Sequence, residues 1–453
     1  MSKLFLNLKK FSKQIALIEN NKKYKYSFLI NQSDELKKKI EDKSLILMIG
    51  SNQLASIIGY ITFLKGNYCT ILLDESFDDK YIKNICKIYK PNYVFGKKEK
   101  ISMNFNFKNI FQIKNFILVK TNFNKNFKLN LKNSLLISTS GTTNDPKLIR
   151  LSSYNIYDNT KKIIDYLKIK YNHTTITTMP FGYSYGLSII NTHLETGATI
   201  IINEKTVFEK EFWKTLKKFK VYSFGGVPSF YELLFKLKFK KLITPYLKYI
   251  TQAGGKIDEK LCEYFSNIKN LKFISMYGQA EASPRISYLG SNYNKVKLGS
   301  IGKPLKGYKL NIDKMGKFKN YDYGELIFKG KNVCLGYASN IKDLFKGDIN
   351  KGMLKTGDIG YKDKDNFYYI IGRKKRISKI FGIRINLDDV EDLLKKNNFL
   401  CHCIPDNKFL IIEFLQNYEE NQIKNIIFKE FKIKINFIKT FRVKSFSKNS
   451  LFK

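Results

Sequence analysis

Leu135-Leu136-Ile137-Ser138-Thr139-Ser140-Gly141-Thr142-Thr143-Asn144-Asp145-Pro146-Lys147 is the stretch on which the reading of this chain turns. Its first three residues are the apolar run of a buried strand. A loop rich in Ser, Thr and Gly succeeds them at once. Such a loop offers hydroxyls and closely approaching backbone N–H groups, which suit phosphate oxygens. Lys147 adds a cation for a triphosphate. The order differs from the common nucleotide loop GxxxxGK[ST]. An ordinary polar surface loop is the plain alternative, and the ordered run of residues argues against it.

Outward from this loop, strand-like and helix-like runs alternate. Leu45–Ile49 and Thr70–Leu73 read as buried strands, and Tyr93-Val94-Phe95 and Ile117-Leu118-Val119 as further ones. Ser33–Ile40 reads as a helix with a serine cap. Beyond the loop, Ala198–Asn203, Val221–Phe224, Tyr246–Gln252 and Leu271–Met276 read as strands, and Phe208–Phe219 as an amphipathic helix. Strands alternating with helices predict an α/β fold with a parallel sheet and crossover helices. Ligands then bind at the carboxyl ends of strands. Between Lys306 and Tyr337 the chain turns β-rich. After the strand Tyr368–Ile371 and the run Gly372-Arg373-Lys374-Lys375-Arg376 comes a smaller unit, with a helix at Leu387–Lys396 and strands beyond it.

Composition narrows the classes. The chain has 453 residues, 43% of them hydrophobic and 15% aromatic, enough for a large core and unlike a disordered segment. The formal charge of +42 raises the prospect of nucleic-acid binding. The lysines are spread along the chain, however, and travel with Asn, Ile, Phe and Tyr, the residues of A/T-rich codons. The excess therefore reads as a coding bias that places lysine on solvated surface, with no specific nucleic-acid partner. A positive field still favours capture of anionic ligands and acidic partners.

The six cysteines show no zinc-ligand spacing, and Cys401-His402-Cys403 reads as a half-buried strand with His402 on the other face. Few cysteines without a disulfide framework suit a reducing, cytoplasmic setting. No signal peptide is expected at the N-terminus, and no run is long and apolar enough for a transmembrane segment.

The loop Ser138–Lys147 resembles the phosphate-binding signature of the adenylate-forming superfamily, which includes acyl-CoA synthetases, the adenylation domains of peptide synthetases, and luciferases. Asn144 stands where the family has Gly, and Asn tolerates positive φ best among the other residues. Further segments occur in the family's order, and the resemblance covers essentially the whole chain. Tyr277-Gly278-Gln279-Ala280-Glu281 is similar to the motif whose aromatic ring stacks on adenine and whose Glu holds Mg²⁺, with Ala280 in place of the usual Thr. Gly254-Gly255 resembles the turn lining the adenine and acyl pocket. In Lys355-Thr356-Gly357-Asp358, Asp358 corresponds to the ribose ligand, and Arg373 to a second ribose or phosphate contact. Lys375 falls at the hinge between large and small domains. Lys379 and Gly382-Ile383-Arg384 match the small-domain loop of the thiol step.

The terminal Ser447-Lys448-Asn449-Ser450-Leu451-Phe452-Lys453 fits the family's last motif, with Ser for Pro and Phe for Gly. Lys453 would then be the catalytic lysine. Lys448 and a frayed basic tail remain the alternatives.

The resemblance implies a large N-terminal adenylation domain, residues 1–373, of stacked mixed sheets with helices and a β-rich subdomain. A small mobile α+β C-terminal domain, residues 374–453, completes the chain. The implied activity is ATP-dependent activation of a carboxylic acid to its acyl-AMP, then transfer to a thiol of CoA or of a carrier protein's phosphopantetheine. Catalytic roles fall on Lys147, Glu281 and Lys453. Nucleotide contacts fall on Thr139, Ser140, Gly141, Thr142, Thr143, Lys147, Gly254, Gly255, Tyr277, Gly278, Gln279, Asp358, Arg373 and Lys379, and the Mg²⁺ contact on Glu281. Pro180–Gly186 resembles the acyl-pocket segment, where Tyr183 and Tyr185 read equally as pocket residues or core aromatics. Gly225–Tyr231 would form another pocket wall, as in acyl-CoA synthetases. No Asp stands near Tyr183 in sequence to hold an ammonium group, which favours an acid without an α-amino group. A degenerate nucleotide binder and an amino-acid-activating ligase are the rival readings.

Overall fold

Leu45–Gly50 and Cys69–Asp74 are buried at every residue and pair in parallel, Leu47 opposite Ile71. A strand covered on both faces loses polar alternation and appears as a continuous apolar run. These two lie inside an 8-stranded sheet of the computed structural model. Its order is Gly336–Ala338, Leu148–Leu151, Leu135–Ser138, Cys69–Asp74, Leu45–Gly50, Tyr93–Lys97, Phe116–Lys120 and Asn109–Ile113. The residues described are 3–66, 68–102, 109–123, 129–130, 132–138, 147–380, 383–406, 408–415, 418–431 and 433–443.

The chain divides into two compact units. One comprises Met1–Lys309 with Phe328–Leu354, the other Leu310–Ile327 with Lys355–Lys453. The first unit holds the 8-stranded sheet and a second sheet. In order, the second runs Ser300–Pro304, Arg285–Leu289, Lys272–Gly278, Tyr249–Gln252, Ser223–Gly226, Thr174–Ile176, Thr199–Ile202, Ile15–Glu19 and Lys22–Lys25. Its middle is parallel and its flanks antiparallel. Ile46 and Met48 of one sheet share a core with Leu17 and Ile200 of the other, so the sheets are stacked as the α/β reading predicts. The helix Leu54–Lys65 is buried from Leu54 through Leu64 and belongs to that shared core.

Most expected elements appear with shifted ends. The strand expected at Val221–Phe224 is Ser223–Gly226, and the helix expected at Phe208–Phe219 is Lys210–Lys218. One expectation fails. The helix placed at Ser33–Ile40 spans Tyr26–Lys37, and Ser33 is not its cap. Tyr26, Leu29, Ile30, Ser33 and Leu36 form its buried face, and Ser33 Oγ accepts from the Thr62 hydroxyl at 2.9 Å. Packing on the helix Leu54–Lys65 set the position over a local capping signal.

In the second unit, the strands Tyr321–Lys329, Met353–Lys362 and Tyr368–Arg373 lie side by side in that order. Further on, Cys401–Ile404, Leu410–Leu415 and Ile438–Val443 form a 3-stranded sheet with the helices Leu387–Lys396 and Glu420–Phe431. Leu387, Val390, Leu394, Ile412, Ile423 and Ile427 share its core. His402 and Glu391 meet at 3.2 Å, and Cys403 is buried. Among the described residues no helix is long and apolar enough to cross a membrane.

Candidate functional site

Strand Leu135–Ser138 runs antiparallel to Leu148–Leu151 with Ser138 opposite Leu148. This pairing fixes both ends of the signature loop. The loop itself, with Thr139, Ser140, Gly141, Thr142 and Thr143, lies outside the described residues. Lys147 is described. Its Nζ lies 3.9 Å from the centroid of the Tyr337 ring. The Tyr337 hydroxyl donates to Glu281 Oε1 at 2.8 Å. One tyrosine thus touches the cation and the carboxylate that the sequence assigned to the triphosphate and to Mg²⁺. Burial first, and Glu281 beside it, hold the Tyr337 phenol protonated far above its ordinary range.

Tyr337 reaches this place because Gly336–Ala338 adds to the sheet edge beside Leu148–Leu151, Tyr337 opposite Ile149. Arg150 secures the attachment. It is wholly buried and donates to the carbonyls of Tyr337 (3.2 Å), Lys346 (2.7 Å), Leu335 (3.0 Å) and Gly347 (3.1 Å). The same segment grips the Glu281 motif. Cys334 N–H donates to the Glu281 carbonyl at 2.7 Å, Ser283 Oγ donates to the Asn332 carbonyl at 2.8 Å, and Asn332 Nδ2 donates to the Ala282 carbonyl. Sequence reading marked none of residues 332–337 as functional. The signal that could have found them is the Gly336-Tyr337 pair closing the β-rich stretch.

Glu281 is half-buried, in a short 3₁₀ turn Ala280–Ala282 at the end of strand Lys272–Gly278. Among the described residues no cluster of three or more His, Cys, Asp or Glu side chains could hold a metal. A single carboxylate suits a cation that takes its other ligands from phosphate and water, as Mg²⁺ does. Gly278 is required by close approach, since a Cβ there would meet the Pro284 carbonyl oxygen at 1.9 Å. Gln279 N–H donates to that same oxygen at 2.9 Å. Tyr277 is buried. Gly254 lies just past the neighbouring strand Tyr249–Gln252 with φ of +89°, a left-handed conformation glycine adopts without strain. Gln252 Nε2 donates to the Gly255 carbonyl at 2.8 Å and secures the turn.

The segment expected to line an acid pocket begins the helix Ser184–Thr196. Tyr185 turns inward, and its hydroxyl donates to the Thr251 carbonyl at 2.9 Å. Burial pushes its phenol up to about 12, while Arg285 opposes the rise. Tyr183 is 50% exposed. Gly225 faces Tyr185 closely, so the Gly225–Tyr231 wall and this helix do meet. An acidic residue also approaches from far away in sequence. Asp74 Oδ2 accepts from Gly182 N–H at 3.2 Å, and its Oδ1 from Ser76 N–H at 3.1 Å.

In the second unit, Asp358 and Arg373 are opposite one another on adjacent strands, and Arg373 Nε lies 3.0 Å from Asp358 Oδ1. The Asp358 side chain is 3% exposed and that of Arg373 61%. Glu325, unmarked in sequence, supports the turn by accepting from Gly357 N–H at 3.3 Å and pairing with Lys374 at 2.7 Å. Lys379 lies in the strand Ile377–Ile380, its side chain outside the described residues. Gly382, Lys448 and Lys453 also lie outside them.

The family model described as AMP-binding enzyme matches residues 35–338. Similar curated proteins include a 2-succinylbenzoate–CoA ligase of Bacillus cereus, 29% identical over 57% of this chain and 53% of its own length. A long-chain-fatty-acid–CoA ligase of Bacillus subtilis is 30% identical over 58% of this chain and 47% of its own. The chain spans about half the length of these curated relatives. Among solved structures, the o-succinylbenzoate CoA synthetase of Bacillus subtilis with ATP and magnesium superposes with a TM-score of 0.80. That likeness covers 100% of this chain and 98% of the other at 18% identity, so it speaks to the fold alone. The matched span takes in both flanks of the loop, Glu281, and the Tyr337 that joins them, and the chain belongs to the AMP-binding enzyme family.

Proposed function

We propose that this protein is an AMP-forming acid–thiol ligase. It activates a carboxylic acid with ATP, releases pyrophosphate, and passes the acyl group from acyl-AMP to the thiol of CoA or of a separate carrier protein's phosphopantetheine. The observation that carries this reading is the contact of Lys147 and Glu281 with one tyrosine at the end of the signature loop. A carboxylate and the α-phosphate are both anions, so their approach needs fixed positive charge in a place that need not reorganise. Lys147 supplies such charge. Glu281 would hold Mg²⁺, which would neutralise the triphosphate when bound. Tyr337 keeps the Glu281 carboxylate oriented through its hydroxyl.

Asp358 would accept the ribose hydroxyls, and Arg373 beside it would complete that contact. The family resemblance draws the large domain as residues 1–373, whereas the compact units of the fold break the chain at Leu310, Phe328 and Lys355. The small domain, 374–453, would turn about Lys375, withdrawing Lys453 after the first step and bringing Lys379 to Arg384 forward for the thiol step. The six cysteines, all unpaired, suit a reducing cytosol. By name, the relatives act on 2-succinylbenzoate, long-chain fatty acids and oxalate, so family membership leaves the acid open.

The test is carboxylate-dependent exchange of labelled pyrophosphate into ATP, with Lys147→Ala, Glu281→Gln and Lys453→Ala beside the wild type. Exchange with one acid class, lowered about 100–1,000-fold by each substitution, is expected. Tight ATP binding with no exchange for any acid would leave a nucleotide binder and remove the ligase.

A further inference from the structure

Arg285 is 2% exposed and has no carboxylate paired with it among the described residues. Its main chain is clamped. The N–H donates to Asn159 Oδ1 at 3.1 Å, and the carbonyl accepts from Asn159 Nδ2 at 2.8 Å and Asn332 Nδ2 at 3.0 Å. The side chain has less support. Its Nε finds no acceptor, and the rings beside the guanidinium are neutral phenols, Tyr166 and Tyr185, the latter's centroid 5.2 Å away.

Arg285 lines a cavity of ≈ 20 Å³ with Tyr185, Ser188, His193, Thr251 and Met276. That is room for one small polar group and not for a ring. A second unpartnered polar atom lines the same space. His193 Nδ1 is engaged by the Ile189 carbonyl at 2.8 Å, while Nε2 has no partner. A buried cation without an anion is costly, and folds that retain one commonly use it.

The place of the cavity says which end of a ligand would reach it. The strand Lys272–Gly278 ends beside Glu281, where the reacting carboxylate belongs under the ligase reading. Met276 and Thr251 lie further back along their strands, inside the sheet. Arg285 itself opens its strand opposite Gly278, but its side chain lines the cavity with Thr251 and Met276, so a group held in that cavity is the end of the acid away from Glu281.

We propose that Arg285 recognises a second, compact anionic group on the acid, so that the substrate is a dicarboxylic acid. This rests on the ligase reading above. Arg285 is a specificity residue, paired with the far carboxylate and taking no part in the reaction.

The experiment is pyrophosphate exchange with length-matched pairs, adipate against hexanoate and glutarate against pentanoate, on wild type, Arg285→Met and Arg285→Lys. The wild type is expected to favour the diacids at least about tenfold in kcat/KM. Arg285→Met should lose at least about 100-fold on diacids and nothing on monoacids, with Arg285→Lys between. A wild type that prefers monoacids overturns the proposal without any variant. An equal fall on both acids, at unchanged thermal stability, overturns it too. Exchange with monoacids alone leaves the ligase reading standing, whereas exchange with no acid removes both.

Discussion

Arg150 and Arg285 are the two largest fully buried side chains among the described residues, and they are buried on opposite terms. Arg150 spends its donors on the carbonyls of Leu335, Tyr337, Lys346 and Gly347, none of them charged. It fastens an edge strand, and through that strand it places Tyr337 between Lys147 and Glu281. Arg285 has its main chain fastened by Asn159 and Asn332 and its Nε left without an acceptor. Two arginines of similar burial thus divide into one that builds the site and one available to a ligand. Burial alone does not separate a structural charge from a functional one, whereas the count of satisfied donors does.

The contrast breaks if the two respond alike to the same substitution. Arg150→Met leaves several carbonyls buried and unpaired, and should cost about 3–5 kcal/mol in urea unfolding. A loss below about 1 kcal/mol would remove Arg150 from its structural role.

A smaller effect comes from His193, which shares the cavity with Arg285. Burial pushes its imidazole down to about 4, below the ordinary value of ~6.5. Unfolding then takes up a proton between those limits. The stability present above pH ~6.5 should drain as pH falls toward 4, by about 2 kcal/mol between pH 7 and pH 5. Unfolding at both pH values, repeated on His193→Asn, should show a reduced difference in the variant.

Tyr337→Phe keeps the ring under Lys147 and deletes the hydroxyl that Glu281 accepts. The Mg²⁺ concentration for half-maximal exchange should rise about tenfold, the loss of one hydrogen bond to a charged group. ATP affinity should hold, because the ring remains. An unchanged Mg²⁺ requirement would show that the hydroxyl does not orient the carboxylate.

The smallest effect on stability should be Arg285→Met, within about 1 kcal/mol of wild type and tending to stabilise, since an apolar side chain replaces an uncompensated charge. Thermal unfolding checks the sign, and a loss matching that of Arg150→Met would erase the contrast.

The parts of the site legible in the sequence were those whose chemistry is local. Tyr277 to Glu281 and Gly254-Gly255 each lie at the end of a strand that its own apolar run announces, whereas Asp358, inside the strand Met353–Lys362, was legible only through its motif. The illegible parts were carried by partners far away in the chain. Tyr337 meets Lys147 across 190 positions because an edge strand adds to a sheet. Asp74, at the end of the strand Cys69–Asp74, reaches Gly182 in the turn before the helix Ser184–Thr196, and Glu325 reaches Gly357 from another strand. The helix Leu54–Lys65 shows no amphipathic stripe because nearly all its faces are covered. The helix Tyr26–Lys37 took its position from packing against it, over the serine that suggested a later start.

The amino-acid sequence by itself determined the α/β architecture, and through its resemblance to the family it named the loop and the residues proposed to meet nucleotide and metal. The architecture arises from hydrophobic periodicity and turn chemistry, which act within a few residues. Only the tertiary structure decided that one tyrosine joins Lys147 to Glu281, that Arg150 Nε finds an acceptor and that Arg285 Nε does not. Whether a buried donor finds an acceptor depends on which carbonyls and carboxylates distant strands bring within about 3 Å, and no local pattern records that.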